Sequence, residues 1–272
     1  MKIAHEAPLC IFDEVQKVTD YDYALVHLFE ESEDYWNKFV EAKAKGREIV
    51  LDNSIFELGT AFDSAKYVEW INKLEPDWYI IPDVLEDGEA TIASFNDFTW
   101  HNPALPGKAI AVVQGSNYSE VVRCYGYFKQ MAQLGMVDKI AISFDYCFFA
   151  DEWFYAADTK YHAYTLGRQK LLQRMLDEGV IDTNIPHHLL GAGLPQEFAY
   201  YRHWDWIDSI DTSNPVVHGI VGKRYKRQPQ YDIYGLQDKE SVKLFTLIDD
   251  DVEEKLDDIL YNIDMFKHNT RL

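Results

Sequence analysis

Cysteine is scarce. Three thiols in 272 residues, Cys10, Cys124 and Cys147, are too few and too scattered for a disulfide framework or a CxxC zinc site, and an odd number leaves one unpaired. They read as buried thiols of a reducing compartment. Hydrophobic runs are short as well: no stretch approaches the roughly 20 apolar residues that span a bilayer, and the opening MKIAHEAPLC has neither the basic flank nor the apolar run of a signal peptide. A soluble cytoplasmic protein with no membrane attachment is expected. Low-complexity tracts, short repeats and Ser/Pro/Gly-rich linkers are missing too. The hydrophobic content of 47% suffices for one large α/β domain or two smaller ones, and no linker divides the chain.

Positive charge is in short supply, with 26 Lys and Arg against 46 Asp and Glu and a net charge of −20. A generic duplex-coating surface draws its affinity from neutralising phosphates, so this balance argues against one. Any nucleic acid must be gripped locally. Residues 222–230, GKRYKRQPQ, gather Lys223, Arg224, Lys226 and Arg227 around Tyr225; the plain alternative is a solvated loop in an acidic protein. No GxGxxG follows the first strand and no GxxxxGK[ST] occurs, which removes support for dinucleotide and P-loop nucleotide binding.

What the chain does have is alternation. Short β-branched or aromatic runs at 3–5, 23–29, 48–54, 78–84, 109–115, 139–145, 187–193 and 206–211 are separated by helical patterns, among them AFDSAKYVEWINKL, SEVVRCYGYFKQMAQLG and LGRQKLLQRMLDEG. Near-continuous apolar runs are typical of strands covered on both faces. Eight such units in this length predict a (β/α)₈ TIM-type barrel spanning 1–272, with an acidic helical extension at 236–268 packed outside it.

Polar residues stand where the apolar runs end: His5, His27, Asp52, Asp83, Gln114, Asp145, the glycines Gly191 and Gly193, and Asp211. In a barrel they would converge on one mouth, the usual place for chemistry. Each aspartate alone has a plain alternative as a helix cap or turn residue, Asp83 and Asp145 especially. The two histidines read as packed or capping side chains, and no metal is expected. The aromatic cluster at 146–164 reads as core or lid in preference to a base-stacking platform.

Four segments in order resemble motifs of the tRNA-guanine transglycosylases. LDNSIFELG is similar to their DSGGFQ segment, with Asp52 in the aspartate position and Phe56-Glu57 for Phe-Gln. AVVQG resembles VQGG, HLLGAGLPQEF resembles LMGVGTPED, and WIDSIDTSNP resembles GIDMFDCVxPTR, which carries the nucleophilic aspartate. Together they cover about 50–215, and virus-encoded relatives that exchange guanine for a 7-deazaguanine in DNA are included in the likeness. The resemblance implies that Asp211 attacks C1′ through a covalent glycosyl intermediate and that Asp52 is general acid and base. Asp83 and Gln114 would bond the base edge, and Phe56 and Leu190 would lie against its faces; Gly191 and Gly193, read from the residues alone, either make a tight turn or let a flat ligand approach the backbone.

The departures are specific. Ser54 and Ile55 replace the paired glycines, Ser143-Phe144-Asp145 replaces the base-contacting GGL, and Ser213-Asn214-Pro215 replaces PTR, leaving Lys223, Arg224, Lys226 and Arg227 for phosphates. The Cys-x-Cys-x-x-Cys…His zinc site is missing, so no structural zinc and no cofactor are expected. The implied partners are guanine-containing nucleic acid, with DNA favoured, a 7-deazaguanine base and a second copy in a homodimer, in the host cytoplasm if the chain is virus-encoded. Two rival readings stand beside this queuosine-related one: a nucleoside or N-glycoside hydrolase using Asp52 and Asp211, and a barrel that binds a nucleobase or protein without catalysis.

Overall fold

The computed structural model describes residues 1–228, 231–234 and 250–271, with side chains described through residue 226 and again from 252. Eight strands alternate with helices: β1 (Lys2–His5), β2 (Asp22–Leu25), β3 (Ile49–Asp52), β4 (Trp78–Ile80), β5 (Lys108–Val113), β6 (Lys139–Ser143), β7 (His187–Leu190) and β8 (Ile207–Thr212). They pair in the order β1-β8-β7-β6-β5-β4-β3-β2, and every ladder is parallel. This is the predicted (β/α)₈ barrel. Among the described residues β1 and β2 share no ladder, and the chain entering β2 closes the ring instead. Asp20 accepts from Ile3 N at 2.8 Å through its carboxylate, and Thr19 Oγ1 accepts from His5 N at 2.9 Å while donating to Ile3 O at 3.0 Å.

The strands are shorter than their apolar runs. Residues 23–29 read as one strand, yet β2 stops at Leu25 and Val26–Glu31 is helical. Phe29 leaves the barrel to pack among Tyr35, Trp36, Phe39 and Trp70, a burial that an apolar run satisfies equally well as helix or strand. Tyrosine hydroxyls take up backbone groups around these short ladders. Tyr67 donates to Leu51 O at 2.8 Å or Ile80 O at 2.9 Å, Tyr21 donates to Ile210 O at 2.7 Å, and Tyr35 accepts from Leu25 N at 3.1 Å. Buried backbone groups need such partners, and aromatic rings bring them without breaking the core.

Side-chain caps start the longer helices. Ser32, Asp63, Asp87, Asn117 and Thr159 each accept a backbone N–H of the first turn, satisfying a donor that the helix itself leaves orphaned. Thr159 starts its helix at Lys160, ahead of the predicted LGRQKLLQRMLDEG stretch. The aromatic insertion is thereby half core and half surface: Phe148 and Phe149 are buried, Phe154 and Tyr155 exposed.

The helix Leu256–Arg271 lies against the helix Asn214–Ile220 and the 3-10 segment Pro195–Tyr201. The contact is close enough that a Cβ on Gly219 would come 2.4 Å from Ile259 Cγ1. Phe266 packs on Phe198 and, edge-on, on His5. Of the helical extension expected at 236–268, residues 236–249 lie outside the described ones. No described helix is long and apolar enough to cross a membrane. The thiols correct the reading from sequence: Cys124 is buried, but Cys10 is only partly so and Cys147 is exposed, because it begins a short helix at the barrel mouth.

Candidate functional site

The C-terminal ends of the strands enclose a cavity of about 750 Å³ counted out to its open mouth. Six carboxyl side chains line it, those of Glu6, Asp52, Glu57, Asp83, Asp145 and Asp211, and among the described residues no Lys, Arg or His does. Leu25, Phe56, Ile80, Val112, Phe144 and Leu190 supply apolar wall. Such a lining suits a flat ligand that presents N–H donors, and it repels phosphate.

Asp52 ends β3 at the cavity wall. Its carboxyl accepts from the Tyr23 hydroxyl and from Ser54 N, yet burial lifts it well above the ordinary carboxyl range, with Glu57 and Asp211 pushing the same way. Burial, then Asp211 and Asp52 itself, raise Tyr23, which therefore remains the donor in that pair. Ser54 holds a left-handed φ of 58°, where a side chain costs about 1–2 kcal/mol and the resembled motif has glycine. The turn directs both Ser54 N and Asn53 inward.

Asp83 follows β4. Asn53 Nδ2 donates to one of its oxygens at 2.8 Å and Gln114 Nε2 to the other at 2.7 Å, while Gln114 Oε1 accepts from Glu86 N at 3.0 Å. Burial raises the Asp83 carboxyl and the two amide bonds counter it. A carboxylate has about four acceptor positions, so Asp83 keeps capacity for a ligand. It caps no helix. Asp145 accepts from Ser143 Oγ at 2.6 Å, and both reach the cavity.

Asp211 lies one residue from the end of β8. Its Oδ1 is paired with His188 Nε2 at 3.0 Å and accepts from Gly191 N at 3.3 Å. Gly191 is in the left-handed region, φ 64°, and a Cβ there would come 2.6 Å from Phe144 Cδ1, so glycine is required on both counts. Its carbonyl is held from behind. Arg168 donates to Leu190 O at 2.8 Å and Gly191 O at 2.9 Å, and pairs with Glu197 at 2.7 and 3.1 Å, both side chains being fully buried.

The chain matches no protein-family model and no curated protein.

Asp52, Asp83, Gln114, Phe56, Ser143, Asp145, Leu190, Gly191 and Asp211 thus share one cavity. Gly193 stands behind the wall, its carbonyl accepting from Asn214 Nδ2 at 3.0 Å, since Tyr161 and Phe144 cover its Cα. His5 packs against Phe266 and His27 rides on the helix Val26–Glu31, so neither lines the cavity. Lys223, Arg224 and Lys226 are exposed and away from the lining, Arg224 pairing with Asp258; the Arg227 side chain lies outside the described residues. Reading the sequence missed Tyr23, Asn53, His188, Arg168 and Glu197.

The raised Asp52 carboxyl makes stability depend on pH. Native Asp52 holds its proton more tightly than the unfolded chain does, so its contribution is fully present below the ordinary value of 3.8 and is lost as pH rises from there to the raised native value. Asp52→Asn is therefore expected to match the wild type at low pH. Above it the variant becomes the more stable protein, by up to about 1.4 kcal/mol per pH unit until Asp52 ionises. Paired thermal denaturation across pH 4–8 measures the gap, and one that narrows with rising pH would contradict this account.

Proposed function

We propose that the cavity exchanges guanine in nucleic acid, DNA being the favoured polymer, for a 7-deazaguanine base through a covalent aspartyl-glycosyl intermediate. The observation that carries the reading is the pairing of Asp52 and Asp211 in one cavity, joined through Tyr23, which donates to Asp52 and stacks on His188, which in turn pairs with Asp211. A carboxyl kept protonated by burial beside one that accepts N–H donors is the division of labour that displacement at an acetal-like carbon requires.

Asp211 Oδ2 forms a bond to C1′ while the C1′–N bond breaks, and the departing purine takes the bonding pair and a proton from Asp52. In the return step the incoming base loses a proton to Asp52 and attacks C1′, releasing Asp211 as carboxylate. Asp83, held by Asn53 and Gln114, accepts purine N–H donors, with Phe56 and Leu190 on the two faces. The acidic lining keeps phosphates outside, so the nucleotide enters base first, out of its stack.

The test is guanine release from labelled single- and double-stranded DNA, tRNA and a free nucleoside, with and without added deazaguanine, with mass analysis for a protein adduct. Release that depends on the added base, with an adduct, is expected. Release without added base would replace the proposal with a hydrolase, and base binding with neither release nor adduct would replace it with a non-catalytic barrel.

A further inference from the structure

We propose that a one-way hydrogen-bond line from Lys139, at the floor of the barrel, through Ser209 and His188 fixes which oxygen of Asp211 is free to attack. The inference rests on the nucleophile assigned above. Lys139 opens β6 at the end of the barrel opposite the cavity, its ammonium 4.0 Å above the Trp78 ring and almost fully buried. It donates to Asp208 Oδ2 at 2.5 Å and to Ser209 Oγ at 3.0 Å. Ser209 Oγ lies 3.0 Å from His188 Nδ1, and His188 Nε2 lies 3.0 Å from Asp211 Oδ1. Four side chains therefore run in line from the floor to the mouth.

Only one arrangement of hydrogens fits this line with a neutral imidazole. A carboxylate only accepts, so His188 keeps its hydrogen on Nε2 towards Asp211 and its bare Nδ1 takes the Ser209 hydrogen, while the ammonium, which only donates, gives to Ser209 Oγ. With Gly191 N on the same atom, Oδ1 is engaged twice, and Oδ2 is left to meet the sugar carbon. The charged and titratable groups facing His188 are Asp211 and Asp208 from β8, Lys139 from β6 and the stacked Tyr23 from β2. Burial holds the imidazole below its ordinary range and Lys139 adds to that, against the pull of the two aspartates. His188 is thus a positioning residue, a fixed donor held between the Asp211 carboxylate and a serine to which Lys139 donates.

Two readouts test this independently. Imidazole ¹⁵N spectra of the intact protein, with His188 assigned through His188→Gln, are expected to show the Nε2–H form, neutral below the ordinary imidazole range. Ser209→Ala and Lys139→Gln are each expected to shift the Nδ1 resonance, because the hydrogen bond it accepts is lost or weakened, and Ser209→Thr to keep it. In single-turnover adduct formation, Ser209→Ala is expected to slow the step about tenfold and shift its pH profile, the scale of one lost hydrogen bond. His188→Leu is expected to cost about a hundredfold, with His188→Gln recovering most of it because its amide nitrogen donates from a similar position. An Nδ1–H tautomer in the wild type, or an Nδ1 resonance and pH profile unmoved by both Ser209→Ala and Lys139→Gln, overturns the relay. The expected tautomer in a wild type that forms no adduct overturns the nucleophile assignment and leaves the relay's polarity standing.

Discussion

Asp211→Asn is expected to give a folded protein that transfers no base. The asparagine keeps size and shape, and its oxygen can still accept from His188 Nε2 and Gly191 N, the two donors that hold Asp211 now. What disappears is the carboxylate oxygen proposed above to bond to C1′. Removing a nucleophile that acts as one unit with its neighbours costs on the order of 10⁴-fold or more in turnover, and the remainder comes from binding and electrostatics alone. The measurement is base exchange beside thermal unfolding: a melting temperature near that of the wild type, with exchange and adduct both lost. Exchange within tenfold of the wild type would remove Asp211 from the chemistry and send the search to the other carboxylates of the cavity. Asp52→Asn serves as the counterpart, since it removes a proton carrier and leaves the nucleophile in place.

Glu197→Gln is expected to destabilise the protein by about 3–5 kcal/mol, and Arg168→Met by a similar amount, because each leaves one charge buried without its counterion. Arg168 and Glu197 are both 0% exposed, and Tyr201 donates to the same glutamate at 2.8 Å. Replacing both partners together is a different experiment. Arg168→Met with Glu197→Leu removes two desolvated charges at once, and most of the lost stability is expected to return. Function is not expected to return with it. Arg168 also holds the carbonyls of Leu190 and Gly191, which aims Gly191 N at Asp211. Chemical denaturation of the single and double variants, followed by base-exchange assays on the double, separates the two roles. Additive losses in the double variant would show that the pair stabilises through something other than mutual neutralisation.

The barrel was legible because strands buried on both faces leave unbroken apolar runs, and eight of them punctuated by helical patterns admit few other folds. Asp52, Asp83, Gln114 and Asp211 were legible for a related reason: a polar residue directly after such a run has little to do but face the mouth. The supporting groups carry no such mark. His188 and Tyr23 sit within apolar runs, where an isolated aromatic or histidine reads as core; only the two-residue period that sets His188 beside Leu190, and Ser209 beside Asp211, hints that they point inward. Arg168 and Glu197 lie on helical segments, where charge ordinarily means solvent. Gly193 and His5 were misplaced because order along a strand end does not say which side chain faces the cavity and which faces the helices behind it. Helix starts were the weakest part, since Thr159 and Asp63 act through a hydrogen bond that composition does not display.

The junction between β1 and β2 gives the barrel a property that its circular outline conceals. Seven ladders run without interruption from β2 round to β1, and Lys2 pairs with Ser209 at the opposite end of the chain. The ring is a ribbon pinned along one line, by the side chains of Thr19 and Asp20 and by a backbone hydrogen bond from Asp20 N to Ile3 O at 2.9 Å. A ribbon can alter its girth by slipping at the pins while every ladder survives, which a seamless hoop cannot do. Glu6, just past β1, and Tyr23, on β2, face the cavity from either side of that line. The line where the ladders stop therefore runs beside Tyr23, which joins Asp52 to His188, while Asp83, further round the ring, is clamped by Asn53 and Gln114.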